Sequence, residues 1–117
     1  AVYSAEQTKK IIKMLDKKTS SIISIFAGRM ADVGKDPVPV FKKSVNLSKR
    51  YKKIKILWAS TREPYNMLQA KKIGCDIITM PAPIIEKIAK FRKSFNSLTV
   101  ETVKKFLTDS KNSNFNL

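Results

Sequence analysis

Residues 21–32 read SIISIFAGRMAD, and this stretch decides the predicted fold. The isoleucine-rich run over 21–26 predicts a buried strand, which stops abruptly before Gly28, and Arg29 follows directly. Residues 56–63, ILWASTRE, repeat the arrangement, with an apolar run followed by Arg62. Ligands of parallel sheets and barrels bind outside the carboxyl ends of the strands. The two guanidinium groups therefore predict an anion site, usually for phosphate, at one rim of the sheet.

The rest of the chain alternates helical and strand patterns. Ser4 and Gln7 form a capping box that begins a helix ending near Lys17, and Ser60 with Glu63 predicts another. We predict strands over 21–26, 54–59 and 75–80. Four further helices are predicted: one starts at 37, one runs over 60–73, one starts at 84 and one runs over 99–109. Strands separated by helices imply right-handed crossovers and a parallel sheet.

The chain is strongly basic, with 24 lysines and arginines against 9 acidic residues and a formal charge of +15. Such a balance is typical of proteins that bind nucleic acid or an anionic membrane. However, only four of the basic residues are arginines, the type that bidentate recognition favours: Arg29, Arg50, Arg62 and Arg92. The lysines fall on the polar faces of predicted helices, where long side chains are solvated. We therefore expect neither a nucleic-acid partner nor a membrane partner.

Residue types that carry metal and redox chemistry are scarce. The chain has no histidine and one cysteine, Cys75, which excludes an internal disulfide and the usual zinc sites. We expect Cys75 to be a small buried apolar residue and expect no metal or cofactor. The chain shows no signal-peptide pattern and no apolar run near the roughly 18 residues of a membrane span. A cytoplasmic location is the default expectation.

Five short tags carry a family resemblance that covers nearly the whole chain: AVYS at 1–4, FAGR at 26–29, DPVP at 36–39, WASTR at 58–62 and GCDIIT at 74–79. In order and spacing they resemble the C-terminal half of a transaldolase, in the small branch that includes fructose-6-phosphate aldolase-like proteins. Each tag alone is weak, and their succession is specific. The resemblance implies a (β/α)8 barrel that transfers a dihydroxyacetone unit between sugar phosphates through a Schiff base.

The length of the chain limits how much of that barrel it can form. A complete barrel typically needs about 250 residues and at least roughly 200, whereas this chain has 117. The expected fold is therefore α/β: parallel strand–helix units that form the C-terminal half of a TIM barrel, plus a terminal helix. We expect one domain over residues 1–117, with a flexible tail over 110–117. Unpaired strand edges favour association with another chain, so we expect an N-terminal half-barrel polypeptide as partner. The resemblance also implies a homo-oligomer.

Two residues of the first strand are candidate active-site residues. Ser24 and Phe26 share one face of the strand, because side chains alternate along it. The resemblance implies that Ser24 contacts the substrate and that Phe26 lines the site near the substrate carbinol. Aldolase-type members carry a tyrosine at the latter position, so phenylalanine favours transaldolase over simple aldol cleavage. The alternatives are a core aromatic for Phe26 and an ordinary interior hydroxyl for Ser24.

Arg29, Ser60 and Arg62 match the phosphate-binding set of the family. The chemistry agrees, because guanidinium groups bind phosphate bidentately. The Ser60 hydroxyl and the backbone N–H groups at the start of the helix at Pro64 would add further donors. The alternatives are an ion pair between Arg29 and Asp32, and a solvated surface side chain for Arg62.

No catalytic residue is expected within this chain. The resemblance implies that the Schiff-base lysine and the residues that assist it precede Ala1. Lys55 lies nearest to a strand interior, but at the beginning of its strand and so opposite the expected site. A reactive amine needs desolvation or a cationic neighbour, which lysines on helix surfaces lack. We therefore expect the chain alone to be inactive.

Three functional hypotheses follow from the sequence. The first is the C-terminal half of a transaldolase-type enzyme, which requires a partner polypeptide carrying the lysine. The second is a non-catalytic module for sugar-phosphate binding or oligomerisation, which would bind phosphate without turnover. The third is a nucleic-acid-binding protein, which would lose affinity steeply with salt. No recognition motif in the sequence favours the third hypothesis.

Overall fold

A three-stranded parallel sheet forms the centre of the fold. In this computed structural model, which describes residues 2–91, the strands β1 (Ser21–Phe26), β2 (Ile54–Ala59) and β3 (Ile77–Ile78) lie in the order β1-β2-β3. Val2 forms a parallel bridge to Ile25, at the edge of β1 away from β2. In the register Phe26 lies opposite Ala59, so β1 and β2 end side by side.

Five helices precede, connect or follow these strands in the described residues: α1 (Ala5–Met14), α2 (Ala27–Asp32), α3 (Val38–Ser48), α4 (Tyr65–Ile73) and α5 (Ala82–Ile88). The predicted start of α1 is confirmed, because Ser4 Oγ accepts a hydrogen bond from the Gln7 N–H at 3.1 Å. The helix ends at Met14, before the expected end near Lys17. The Lys17 ammonium instead donates to the carbonyl oxygens of Ile12 and Leu15, and so satisfies backbone acceptors at the helix end.

The bounds of β1 and β2 agree with the sequence prediction, whereas β3 is shorter than the expected strand over 75–80. Asp76 explains why β3 begins at Ile77 and not at residue 75. Its carboxylate accepts the Ile56 N–H at 2.9 Å, and its own N–H donates to the Ile56 carbonyl at 3.1 Å. At the amino end of β3 the Asp76 carboxylate thus accepts the hydrogen bond from β2 that a backbone carbonyl oxygen would otherwise accept. The short helix α2, which directly follows β1, was not predicted.

Side-chain alternation gives the sheet two different faces. Ile25, Ile56 and Trp58 are fully buried on the face that α3 covers. The Trp58 ring stacks on Phe41 of α3, with ring centroids 4.4 Å apart. This packing is the main core of the described residues.

The opposite face carries Ile22, Ser24 and Phe26 of β1, beside Lys55, Leu57 and Ala59 of β2. Ile22 is 58% exposed there and Lys55 is exposed too, so most of this face is uncovered within the described residues, although Ala59 at its carboxyl end is buried. Parallel sheets are usually covered on both faces. The architecture is α/β as predicted, and a parallel sheet with helices on one face is consistent with part of a TIM barrel.

Some of the sequence predictions concern other parts of the chain. The final helix over 99–109 and the flexible tail over 110–117 lie outside the described residues. None of the helices within residues 2–91 has the length and apolar character that a membrane span requires. The same residues contain no group of three His, Cys, Asp or Glu side chains placed to hold a metal ion.

Candidate functional site

The candidate site lies where β1 and β2 end, and Gly28 determines how closely its parts approach. Gly28 is buried in the first turn of α2. A Cβ atom on this residue would lie 2.0 Å from the Ser60 carbonyl oxygen and 2.8 Å from Arg62 Cγ. Real Cβ atoms do not approach other atoms so closely, so only glycine fits. The absent side chain allows α2 to rest directly on the loop that follows β2.

That loop has its own local restraints. Ser60 has a φ of 63°, a left-handed conformation that is uncommon for residues other than glycine. Thr61 is 5% exposed, and its Oγ1 donates to the Thr79 carbonyl oxygen at 2.6 Å. Thr61 therefore ties the loop to the chain just after β3. Sequence reasoning did not single out Thr61, although it lies between the two predicted phosphate ligands.

Asn66 organises the start of α4. Its Oδ1 accepts the backbone N–H groups of Arg62 and Glu63, each at 3.1 Å. The predicted capping box between Ser60 and Glu63 is therefore wrong, because an amide side chain inside the helix supplies the acceptor instead. These two N–H groups are engaged by Asn66 and are therefore not free to donate to a phosphate. The guanidinium and hydroxyl groups remain the candidate donors.

An ion pair joins Arg62 to α2. Arg62 Nη2 lies 2.9 Å from Asp32 Oδ2, and Arg62 Nε lies 3.5 Å from Asp32 Oδ1. The hydrogen bond from Arg62 lowers the pKa of the Asp32 carboxyl, and the same contact raises the pKa of Arg62. The sequence alternative that paired Asp32 with Arg29 is wrong. Asp32 instead meets an arginine from a distant part of the chain, because α2 rests on the loop after β2.

Arg29 lies over an aromatic ring rather than beside a carboxylate. Its guanidinium carbon is 4.8 Å from the centroid of Phe26, and Nη1 donates to Tyr3 Oη at 3.3 Å. Tyr3 meets Phe26 edge to face, with centroids 6.3 Å apart. Phe26 is half-buried, so it supports Arg29 instead of filling the core. Phe26 therefore lies outside the main core of the described residues, and its ring carries the Arg29 guanidinium.

The helix geometry of α2 relates the two arginines. Arg29 and Asp32 are three residues apart, so they lie on the same side of the helix. Because Arg62 contacts Asp32, both guanidinium groups reach the same side of α2. Ser60 packs against Gly28 of the same helix. The structure thus gathers Arg29, Ser60 and Arg62 at one end of the sheet, as the sequence predicted for their location.

Ser24 lies deeper on the same strand as Phe26. It is half-buried on the uncovered face of the sheet, opposite Leu57 in the register. Phe26 and Ser24 therefore share a face, and that face leads from the arginines toward the middle of the sheet. Lys55 lies on this face too, near the amino end of β2 and so at the far end from Arg29.

Comparisons with known proteins show the family of the chain. The family model for transaldolase/fructose-6-phosphate aldolase matches residues 1–117. The chain belongs to this family. It is 36% identical over 94 residues to a probable transaldolase of Anaeromyxobacter sp. (strain K), an alignment that covers 80% of the chain and 41% of the relative.

Two further relatives show the same pattern. A probable transaldolase of Caldicellulosiruptor saccharolyticus is 33% identical over 95 residues, covering 80% of the chain and 42% of the relative. One of Nitrosopumilus maritimus is 32% identical over 95 residues, with 80% and 40% covered. The matched part of this family member therefore spans about two fifths of the length of these curated relatives.

Proposed function

We propose that the chain is the C-terminal part of a transaldolase-type enzyme, in which Arg29, Ser60 and Arg62 bind the phosphate of the substrate. The reaction would transfer a dihydroxyacetone unit between sugar phosphates through a Schiff base. The observation that carries the proposal is the contact between Gly28 and Ser60, since it brings both arginine-bearing segments to one end of the sheet. Family membership supports sugar-phosphate transfer chemistry in general.

The charges of the two arginines and their paired carboxylate favour an anion. Among the described residues Asp32 is the carboxylate that pairs with an arginine here, and its partner is Arg62. The Arg29 guanidinium contacts a phenol hydroxyl and an aromatic face instead of a carboxylate. The two arginines and Asp32 therefore leave a net positive charge. Guanidinium groups recognise phosphate through parallel hydrogen bonds, which suits this arrangement.

Ser24 and Phe26 would line the path from the bound phosphate to the reacting carbons. Both lie on the uncovered face of β1, below the arginines. Phe26 has no proton to donate, which favours transfer of the dihydroxyacetone unit over its release by water. A hydroxyl at Ser24 would contact the sugar. In this proposal the described part of the chain binds and orients substrate.

A half barrel that needs a second half-barrel polypeptide is part of the same proposal. The uncovered sheet face supports it, because Ile22 is 58% exposed on a face that a barrel would enclose. Val2 also pairs with β1 at the edge where a preceding strand would lie. The partner would supply the Schiff-base lysine and complete the sheet. Self-association of the completed barrel follows from the remaining exposed surfaces.

One observation favours a second candidate, a non-catalytic sugar-phosphate-binding or oligomerisation module. Within the described strands Lys55 is the one lysine, and it lies at the amino end of β2, away from the arginines. A Schiff base formed on Lys55 would be distant from a phosphate at Arg62. Binding without turnover by the chain alone would fit this arrangement.

The test is phosphate binding by the full chain, measured by NMR titration with inorganic phosphate. We expect Arg29→Ala and Arg62→Ala each to weaken binding about tenfold, because each removes charge-assisted hydrogen bonds. Arg50→Ala is the matched control, since Arg50 precedes β2 at the other end of the sheet and stacks near Tyr51. Equal losses in all three variants, or no loss in the first two, would overturn the proposal.

A further inference from the structure

Asp32 presents a problem for an anion-binding site, because a carboxylate beside a phosphate repels it. Helix stability does not explain its presence. Asp32 is the last residue of α2, and a negative charge at a helix C-terminus opposes the helix dipole. A stability role for the ion pair is also small, because both side chains are about half exposed, at 51% and 55%. The geometry of the contact offers a better explanation.

Arg62 presents two edges to a planar acceptor, and Asp32 occupies only one. Its carboxylate contacts Nε at 3.5 Å and Nη2 at 2.9 Å. The Nη1 nitrogen and the second proton of Nη2 meet no acceptor among the described residues. A guanidinium held by its Nε edge can still donate two parallel hydrogen bonds from the other edge.

We propose that Asp32 is a positioning residue that holds the Nε edge of Arg62 and leaves the Nη1–Nη2 edge for the substrate phosphate. This inference rests on the proposed phosphate-binding role of Arg62. Asp32 stays paired when phosphate binds, so the anion adds to the ion pair and does not replace it. The cost of the nearby negative charge is offset because the long Arg62 side chain is already ordered.

The neighbouring carboxylate Glu63 provides a matched control. It follows Arg62 directly in sequence, is exposed, and makes no ion pair among the described residues. Glu63→Gln removes one negative charge near the site without releasing Arg62. Coulomb's law alone predicts that both Asp32→Asn and Glu63→Gln strengthen phosphate binding. Positioning predicts opposite signs for the two variants.

The experiment compares inorganic phosphate affinity of the full chain and its variants. Asp32→Asn should bind about two- to fivefold more weakly, the size expected of an exposed ion pair, and Asp32→Glu should restore part of the loss. Glu63→Gln should bind at least as tightly as the unaltered chain. In an Arg62→Ala background, Asp32→Asn should no longer weaken binding, because there is no guanidinium left to position.

The outcomes separate the two proposals. If Asp32→Asn binds phosphate as tightly as the unaltered chain or more tightly, Asp32 is a competitor and the positioning role is wrong. If Arg29→Ala and Arg62→Ala bind as the unaltered chain does, the proposed function fails, and this role fails with it. The Arg62 Nε–H resonance adds a direct readout, since it should keep its chemical shift when phosphate binds. A large shift would show displacement of Asp32.

Discussion

Gly28 packs directly on Ser60, so closely that a Cβ added to Gly28 would lie 2.0 Å from the Ser60 carbonyl oxygen. Gly28 lies in the first turn of the helix after β1, and Ser60 begins the loop after β2. The contact depends on the absence of a side chain at one position and on a left-handed backbone at the other. It links the two arginine-bearing segments.

Replacing Gly28 by alanine should therefore lower the stability of the fold, although helix propensity alone predicts that it raises stability. Alanine is favoured over glycine in helix interiors by about 1 kcal/mol, but here the added methyl group overlaps a backbone carbonyl. We expect Gly28→Ala to lower the free energy of unfolding by about 1–3 kcal/mol and to weaken phosphate binding. Urea unfolding and NMR titration measure the two effects.

Gly34 is the control for this substitution. Its φ is +77° and no atom lies within 4 Å of a Cβ built there. Gly34→Ala should cost about 1 kcal/mol through left-handed strain and leave phosphate affinity unchanged. Similar binding losses in both variants would show that the Gly28 contact does not shape the site.

The aromatic pair in the core should dominate stability. Phe41 and Trp58 are both 0% exposed and stack at 4.4 Å. Phe41→Ala should lower the free energy of unfolding by about 3–5 kcal/mol, a large part of the roughly 5–15 kcal/mol typical of a whole domain. Fluorescence of Trp58, the one tryptophan of the chain, reports the transition in urea. Phe26→Ala, on the uncovered face, should cost less, and an equal cost would contradict the assigned core.

A buried hydroxyl pair connects α1 to α3. Thr8 Oγ1 and Ser44 Oγ are 2.9 Å apart, and both residues are 0% exposed. Thr8→Val leaves the Ser44 hydroxyl without this partner and should cost about 1–3 kcal/mol of unfolding free energy. Adding Ser44→Ala should cost less than the sum of the single changes, because the pair is then removed together. Strictly additive costs in urea unfolding would contradict the pairing.

Cys75 should make stability fall at alkaline pH. Burial raises the pKa of its thiol, with a smaller contribution from Asp76. The folded state keeps the thiol proton where the unfolded chain loses it, so stability declines as pH rises above the ordinary thiol pKa of about 8.5. Unfolding midpoints across this range measure the slope. Cys75→Ala should flatten it, and an unchanged slope would contradict the assignment.

Mass measurements test whether the proposed partner polypeptide exists. Native and denaturing mass measurements on the protein from its natural source should reveal a second polypeptide that co-migrates only under native conditions. Borohydride with a ketose phosphate should then trap a Schiff base on that polypeptide, since reduction fixes the imine on its lysine. If the chain migrates alone or only with copies of itself, the non-catalytic module becomes the better hypothesis.

Local features of the structure agree with the sequence predictions. The isoleucine-rich runs predicted both long strands, and Ser4 predicted the start of α1. The predicted end of α4 at residue 73 is also confirmed, and Gly74 caps the helix there with a φ of 86°. Each depends on the conformational preference or apolar periodicity of adjacent residues. The position of each arginine just after a strand also follows from the order of residues.

The pairings at the site were decided by tertiary structure. Sequence proximity suggested Arg29 as the partner of Asp32, whereas Arg62 forms the ion pair. Sequence also suggested Glu63 for the cap that Asn66 provides. Several acceptors and donors lie within reach along the chain, so local spacing does not select among them. The pairing of β1 with β2 brings α2 against the loop that follows β2, and this contact determines which groups become partners.

The sequence by itself thus determined the parallel α/β class, the ends of the main strands and which residues stand at those ends. The tertiary structure decided how closely the segments approach, which charges pair and which sheet face stays uncovered. The physical reason is the separation along the chain over which each effect acts, because backbone propensities and periodicity involve only a few adjacent residues. The packing of Gly28 on Ser60 and the Asp32–Arg62 pair exist only once distant segments have packed together.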